Sequence, residues 1–411
     1  MNIKKHIDIT TILGWILGIL VFLRTMPCYL WSVEDTIRPI CTILVMLICV
    51  TNISRDRGTF WIFLFLAASY VWAVVFVDHS GTLTLLNFLT FAFIPIIRKE
   101  LVLKAYGAFR VILIFFFILS IINYILWLYD LAGVGEIIEP LNSVKTIKYL
   151  KYPFLVTTLG ETSRRFFSVF DEPGVVGTMC GLILVSEQMN LKKPGNWVFL
   201  LAGALSLSFY FYVALILGLV LFSTRLRFRW LLIPVFAAVL LVTYNNPFMY
   251  DTVWSRFEWD AEEGWFAGDN RNNDDLSEHF ESIIGTKELF TGEGTEVAKD
   301  YYTSSSLILI IVKHGLIFII LNLMGFAILS FREIRNKLIW MSFFVFFVLT
   351  LYQRPGFYGV YSISLYTMTI YNFGMNAEKL SDKIETEKKA KEEKRKKRRA
   401  KRAKRLKLQT A

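Results

Sequence analysis

Residues 196–223 read NWVFLLAGALSLSFYFYVALILGLVLFS, a stretch without a single charged side chain. Roughly 20 apolar residues carry a helix across a bilayer, so this run is too long for one untilted span. How often it crosses decides the sidedness of everything after it. Lys192 and Lys193 precede it, and Arg225, Arg227 and Arg229 follow it. Cytoplasmic connections of membrane proteins are enriched in Lys and Arg. With Lys4 and Lys5 placed inside, Arg55, Arg57, Arg98, Lys99, Lys104, Arg110, Lys192 and Lys193 also fall inside. A single crossing would put the three later arginines outside and invert every following segment. Two crossings, as a tight helical pair breaking near Ser206 to Tyr210, keep them inside together with Arg332, Arg335, Lys337 and the basic tail. The charge pattern therefore predicts two. Ten further apolar runs lie near 9–23, 38–53, 60–77, 82–97, 111–129, 174–190, 230–245, 315–331, 338–352 and 358–375. The expected fold class is an all-α polytopic integral membrane protein of about 12 transmembrane helices with both termini cytoplasmic.

Composition agrees with this reading. Of 411 residues, 55% are hydrophobic and only 19% charged, and the mean hydropathy is +0.49. Soluble domains carry about 25% charged residues, so a soluble, secreted or disordered chain is excluded. The net charge of +11 is divided by region rather than spread evenly. Residues 377–411 hold 16 basic and 6 acidic side chains, whereas 246–303 hold 4 basic and 14 acidic ones. A basic segment directly after a span reads as a cytoplasmic anchor on anionic lipid headgroups, and a nucleic-acid partner is not expected. Cys28, Cys41, Cys49 and Cys180 lie within or beside apolar runs without a CxxC pair, which argues against disulfides or zinc. Lys4 and Lys5 ahead of an apolar run resemble a signal peptide, but no small-residue cleavage site follows, so an uncleaved first span is expected.

The twelve-span count leaves two long segments on the outer face, 130–172 and 246–303, flanked by shorter loops at 24–37, 78–81 and 353–357. Long loops of compact proteins are usually functional. The chain divides into a membrane domain at 1–376 and the tail at 377–411. Trp254, Trp259, Trp265 and Phe266 in the second segment suit a membrane interface. Nucleotide-binding, zinc-protease, nucleophile-elbow and EF-hand patterns are missing, and His6, His79, His279 and His314 are too scattered for a metal cluster. The spans hold few charged residues, unlike those of ion-coupled transporters.

The first outer segment ends in GETSRRFFSVFDEPGVVGTMCG, residues 160–181. Arg164 and Arg165 sit just before a span on the face where the bias disfavours them. Arginine holds phosphate oxygens through a planar fork, and a helix starting at about Gly174 would turn its anion-favouring end outward. The alternative is that Arg165 pairs with Glu172 or reaches lipid headgroups. In the second segment, Arg271 is one of four basic residues among 14 acidic ones, the setting of an ordinary salt bridge or of a ligand contact. Gly292 and Gly294 in TGEGTE would allow a tight turn with amides facing a ligand. Residues 303–312 then read as a short apolar helix stopping before Lys313, His314 and Gly315, with His314 an interface histidine.

These segments, in this order, carry a family resemblance over roughly residues 150–330. RFFSVFDEP ahead of a span resembles the R-x-x-G-x-F-x-E-P signature of the O-antigen polymerase and ligase superfamily. Arg271, a helix, GEG, a short apolar helix and KHGLIF look like that family's large periplasmic loop. The twin spans around LSLSF are similar too, although Phe209 and Tyr210 stand where many members carry an arginine. The resemblance implies a metal-independent, inverting membrane glycosyltransferase without cofactor, acting on undecaprenyl-pyrophosphate-linked sugars at the outer face of a bacterial inner (plasma) membrane. Ligases of the family carry a His-Asn pair where this chain has YYTSSS, residues 301–306, which favours a polymerase of O-antigen, capsule or exopolysaccharide. On this reading Arg165 and Arg271 clamp the pyrophosphate, and Arg164, Arg256 and Arg354 support them. Glu172 orients Arg165 or serves as a weak base. The partners implied are the lipid-linked oligosaccharide, membrane lipids, and a chain-length regulator and flippase. The rivals are the ligase, a carboxylate-based polytopic glycosyltransferase using Glu34 and Asp35, and a lipid-linked oligosaccharide flippase.

Overall fold

A computed structural model of the chain describes residues 8–140, 147–160, 164–222, 274–301 and 306–379, with isolated positions between 223 and 273. Arg256, Arg271, most of the 230–245 run and the basic tail from 380 onward lie outside the described residues. The rest is dominated by helices. In chain order they are α1 (Ile9–Leu23), α2 (Glu34–Thr51), α3 (Thr59–Val71), α4 (Thr82–Phe93), α5 (Lys99–Leu128), α6 (Pro173–Ser186), α7 (Asn196–Leu205) and α8 (Phe209–Leu217). Then follow α9 (Asp274–Ile283), α10 (Glu288–Thr291), α11 (Thr295–Asp300), α12 (Leu307–Glu333), α13 (Lys337–Gln353) and α14 over 360–379.

Three of these are long and apolar enough to cross a membrane: α3 with its π-helical extension to Val77, α5 and α12. The pair of α1 with the segment Cys28–Thr51, bent by 90°, would make a fourth. Among the described residues the count therefore stops well short of twelve spans. Breaks in the helices are the physical reason. The 10 residues of α7 rise about 15 Å, half the hydrocarbon thickness of a bilayer.

The 196–223 run nonetheless folds back on itself. Arg110 Nη2 donates to Asn196 Oδ1 at 2.7 Å where α7 begins. At the far end of the run the Phe222 ring meets Phe373 at 4.9 Å, beside Asn372, whose amide donates to the Ser186 carbonyl at 3.1 Å. Both ends of the run thus share one end of the bundle. The break comes between Leu205 and Phe209, where Leu207 adopts a left-handed φ of 47° and Ser206 Oγ donates to the Gly203 carbonyl at 2.6 Å. Gly203 permits the fold-back, because an added Cβ would overlap the Phe211 ring.

A charged network ties that end together. Buried Glu187 accepts from Lys193 Nζ at 2.6 Å and from Tyr106 Oη at 2.8 Å, with Arg110 Nε at 3.9 Å. Glu333 pairs with Lys99 at 2.9 Å, and Arg332 reaches Tyr371 and Thr59. A buried carboxylate is tolerated only with such partners.

The opposite end carries the departure from an all-α fold. Strands β1 (Glu136–Ile138), β2 (Tyr149–Tyr152) and β3 (Leu155–Thr158) form an antiparallel sheet in that order. Tyr152 pairs with Leu155 across a two-residue turn at Pro153 and Phe154, with Phe154 at a φ of 56°. Proline presets the first turn position, and the flanking Tyr, Leu, Val and Thr favour extended backbone. The sheet docks on the turn between α1 and α2. Trp31 meets Tyr149 edge-on at 5.3 Å, the Phe154 amide donates to Tyr29 Oη, and the Cys28 amide donates to the Val169 carbonyl at 2.8 Å. Within the acidic segment, β4 (Trp259–Asp260) pairs with β5 (Trp265–Phe266), Trp259 opposite Phe266.

Candidate functional site

The sheet delivers residues 164–172 to the first turn of α6. Glu172 is the extended residue before the helix and Pro173 its first residue, one position ahead of the expected start at Gly174. Proline suits that position because its missing N–H would have no helical partner there. Tyr149 Oη donates to the Asp171 carbonyl at 3.1 Å and fixes the approach. Arg354, leaving α13, places Nη1 2.8 Å from Glu172 Oε2. Its guanidinium lies directly against Gly174, where an added Cβ would overlap Nη2. The Arg354 carbonyl is held by Tyr366 Oη at 2.6 Å and by the Gly356 amide at 2.7 Å. Beside it opens a cavity of about 170 Å³ lined by Val175, Thr178, Tyr361, Ser362 and Tyr366.

One helical turn further along, α6 touches the break between α7 and α8. A Cβ at Gly177 would overlap Ser208 and come within 3.1 Å of Ser206 Oγ. Arg165 is anchored there, Nε donating to the Ser206 carbonyl at 3.3 Å, and the Phe166 amide donates to the Leu205 carbonyl at 3.1 Å. Arg164 is exposed at a φ of 46°, and its carbonyl accepts from Tyr124 Oη. The fold thus brings Arg165, Glu172 and Arg354 to one turn of α6. Glu172 meets Arg354. Arg271 and Arg256 are outside the described residues.

Gly292 and Gly294 form the expected tight turn, at φ values of 79° and 97°. Their amides, expected to turn toward a ligand, are instead spent on carbonyls of the protein. Gly292 N donates to Glu288 O at 2.7 Å, Glu293 N to Val312 O at 2.8 Å, and Gly294 N to Lys313 O at 3.1 Å. The cause lies in α12, which breaks at Gly315 with φ 77° and ψ 168°. The break frees the carbonyls of Val312 and Lys313, and buried carbonyls demand donors. The turn supplies them. Ser306, not a residue near 303, caps α12 by accepting from the Leu309 amide at 3.1 Å.

Sequence reasoning missed Asp78. Its Oδ1 accepts from both Thr295 N and Thr295 Oγ1 at 2.7 Å, so it holds the far side of the glycine turn. A single carboxylate in the short connection VDHSG carries no periodic or motif signal. Of the rival carboxylates, Glu34 is paired with Arg38 one turn along α2. Among the described residues, no three His, Cys, Asp or Glu side chains gather in a way that could hold a metal ion.

Compared with protein-family models, curated proteins and solved structures, the chain finds no match in any of the three.

Proposed function

We propose that the chain is a polytopic membrane glycosyltransferase of the O-antigen polymerase and ligase superfamily, and within it a polysaccharide polymerase. It joins undecaprenyl-pyrophosphate-linked repeat units at the outer face of a bacterial plasma membrane, with both termini cytoplasmic. The observation that carries the reading is the Arg354 guanidinium laid over Gly174 at the start of α6, with Arg165 one turn away. A helix amino terminus and the Arg354 guanidinium lining a partly enclosed cavity favour an anion such as a pyrophosphate.

The chemistry requires little else. A hydroxyl of the incoming lipid-linked unit attacks the anomeric carbon of the growing chain, and undecaprenyl pyrophosphate leaves with the bonding electron pair. Fixed cations stabilise the charge that grows on the leaving group, and two lipid anchors confined to one leaflet reduce the entropic cost of meeting. Neither step calls for a metal or cofactor. The basic tail, 377–411, anchors the cytoplasmic end on anionic headgroups.

A strain lacking the chain should display surface glycan of one repeat in place of a ladder, and the restored gene should restore the ladder. Loss of all glycan, single repeats included, would instead indicate a ligase or flippase. For the topology, reporter tags at Lys193 and Arg227 should both sit in the cytoplasm. A tag at Arg227 that reports the outside would overturn the double crossing of 196–223.

A further inference from the structure

Beneath the glycine turn, four polar side chains converge without satisfying one another. His314 is fully buried, and neither ring nitrogen has a hydrogen-bond partner. The Tyr358 hydroxyl is buried and unpartnered as well. Among the described residues Lys313 forms no ion pair, its ammonium resting 5.7 Å from the centre of the Tyr358 ring. Asp78 spends Oδ1 on Thr295, while Oδ2 points at His314 Nδ1 from 3.8 Å, beyond hydrogen-bonding distance. Native proteins pair nearly all buried polar groups, and exceptions gather where a ligand or catalytic step needs them.

We propose that this cluster is the acceptor site of the enzyme, and that Asp78 is the catalytic base. The inference rests on the polymerase reading above and adds to it the group that receives the acceptor's proton. A carboxylate, an ammonium, an imidazole and a phenol offer alternating acceptors and donors, which suit a sugar hydroxyl. A second anion would be repelled by Asp78, and the set lacks the three ligands of a metal site. The phenol belongs to a ring stacked on Phe318 at 5.4 Å, and apolar ring faces complement the C–H faces of a sugar.

The position fits the donor cleft. Tyr358 lies 5.1 Å from the His314 ring and four residues after Arg354, so the intervening chain spans at most about 14 Å. An acceptor hydroxyl at this cluster can therefore approach a donor held at the other. In the step, the acceptor O–H proton passes to Asp78 Oδ2 as its oxygen bonds to the anomeric carbon. The C–O bond to pyrophosphate breaks, its electrons leaving with undecaprenyl pyrophosphate, and Asp78 later returns the proton to water. Thr295 fixes the other carboxylate oxygen, and His314 is a positioning residue behind it.

The test uses the full-length protein in liposomes with undecaprenyl-pyrophosphate-linked repeat units. Asp78→Asn keeps an oxygen for both Thr295 donors but cannot take a proton. It should form polymer at least 100-fold more slowly, within the range general bases contribute, while binding the lipid-linked donor as the wild type does. His314→Gln should fall less, about tenfold. Asp78→Asn polymerising within threefold of the wild type would overturn the assignment. Should that variant fail to accumulate, Lys313→Ala and Tyr358→Phe serve in its place, each expected at a tenth of the rate or less, and normal rates in both overturn it equally. A wild type that makes no polymer under these conditions removes the polymerase reading itself and this one with it.

Discussion

Arg354→Ala should reduce polymer formation by about 10²- to 10³-fold, the loss expected when one fixed donor to a developing charge is removed. The guanidinium is packed on Gly174 and held by Glu172 at 2.8 Å, so it meets a bound pyrophosphate without reorganising. Arg354→Lys keeps the charge but loses the planar fork and should keep part of the rate. Arg165→Ala and Arg165→Lys should follow the same order, since both cations address one leaving group. The double alanine variant should be little worse than either single one, because groups that act as a unit are non-additive. Membrane abundance must be equal across the series, since removing one partner of the Arg354–Glu172 pair also costs stability. Ladders of normal length from both Arg165→Ala and Arg354→Ala would remove the cationic cleft from the mechanism. Glu34 and Asp35 would then become the better candidates.

The second large effect concerns folding. Gly315→Ala should prevent normal accumulation of the protein, and Gly292→Ala should do nearly the same. Both positions combine a positive φ, 77° and 79°, with an extended ψ of 168° and 165°, a region essentially reserved for glycine that costs an L-residue about 1–3 kcal/mol. An added Cβ at Gly315 would overlap the Phe290 carbonyl oxygen, and one at Gly292 would lie 2.6 Å from the His314 carbonyl carbon. These are backbone atoms, which cannot swing aside as a side-chain tip can. The loss should exceed about 3 kcal/mol in total, combining strain with core disruption. Gly107→Ala is the control, because nothing lies within 4 Å of its added Cβ. In the middle of α5 it should be neutral or gain up to about 1 kcal/mol. Thermal unfolding of detergent-solubilised protein, with membrane abundance, measures both effects.

What the sequence disclosed and what it hid follow from the range of each signal. The break in 196–223 was legible because charge on both flanks constrains sidedness, and the break falls at Leu205–Phe209, within a residue of the expected place. The start of α6 was legible from DEP, since an extended residue before a proline marks a helix start through local backbone chemistry alone. The direction of the Gly292–Gly294 amides was not. It depends on carbonyls freed by Gly315, more than twenty residues later. The Glu172–Arg354 pairing joins positions 182 apart, and Asp78 meets Thr295 across 217, distances at which local pattern says nothing. The sheet between α5 and α6 was hidden because its strands are only three or four residues long, too short for alternation to stand out. The span count was overdrawn because hydropathy measures the length of apolar sequence, while Ser206, Leu207 and Gly315 decide where a helix stops.

The most direct test of the central claim is the purified full-length chain in liposomes, given a single undecaprenyl-pyrophosphate-linked repeat unit and no other protein or added metal. A polymerase should convert it into a ladder of lipid-linked oligomers while releasing one undecaprenyl pyrophosphate per bond formed. Recovery of the repeat unit unchanged, or its transfer to the other leaflet without any new glycosidic bond, would contradict the account.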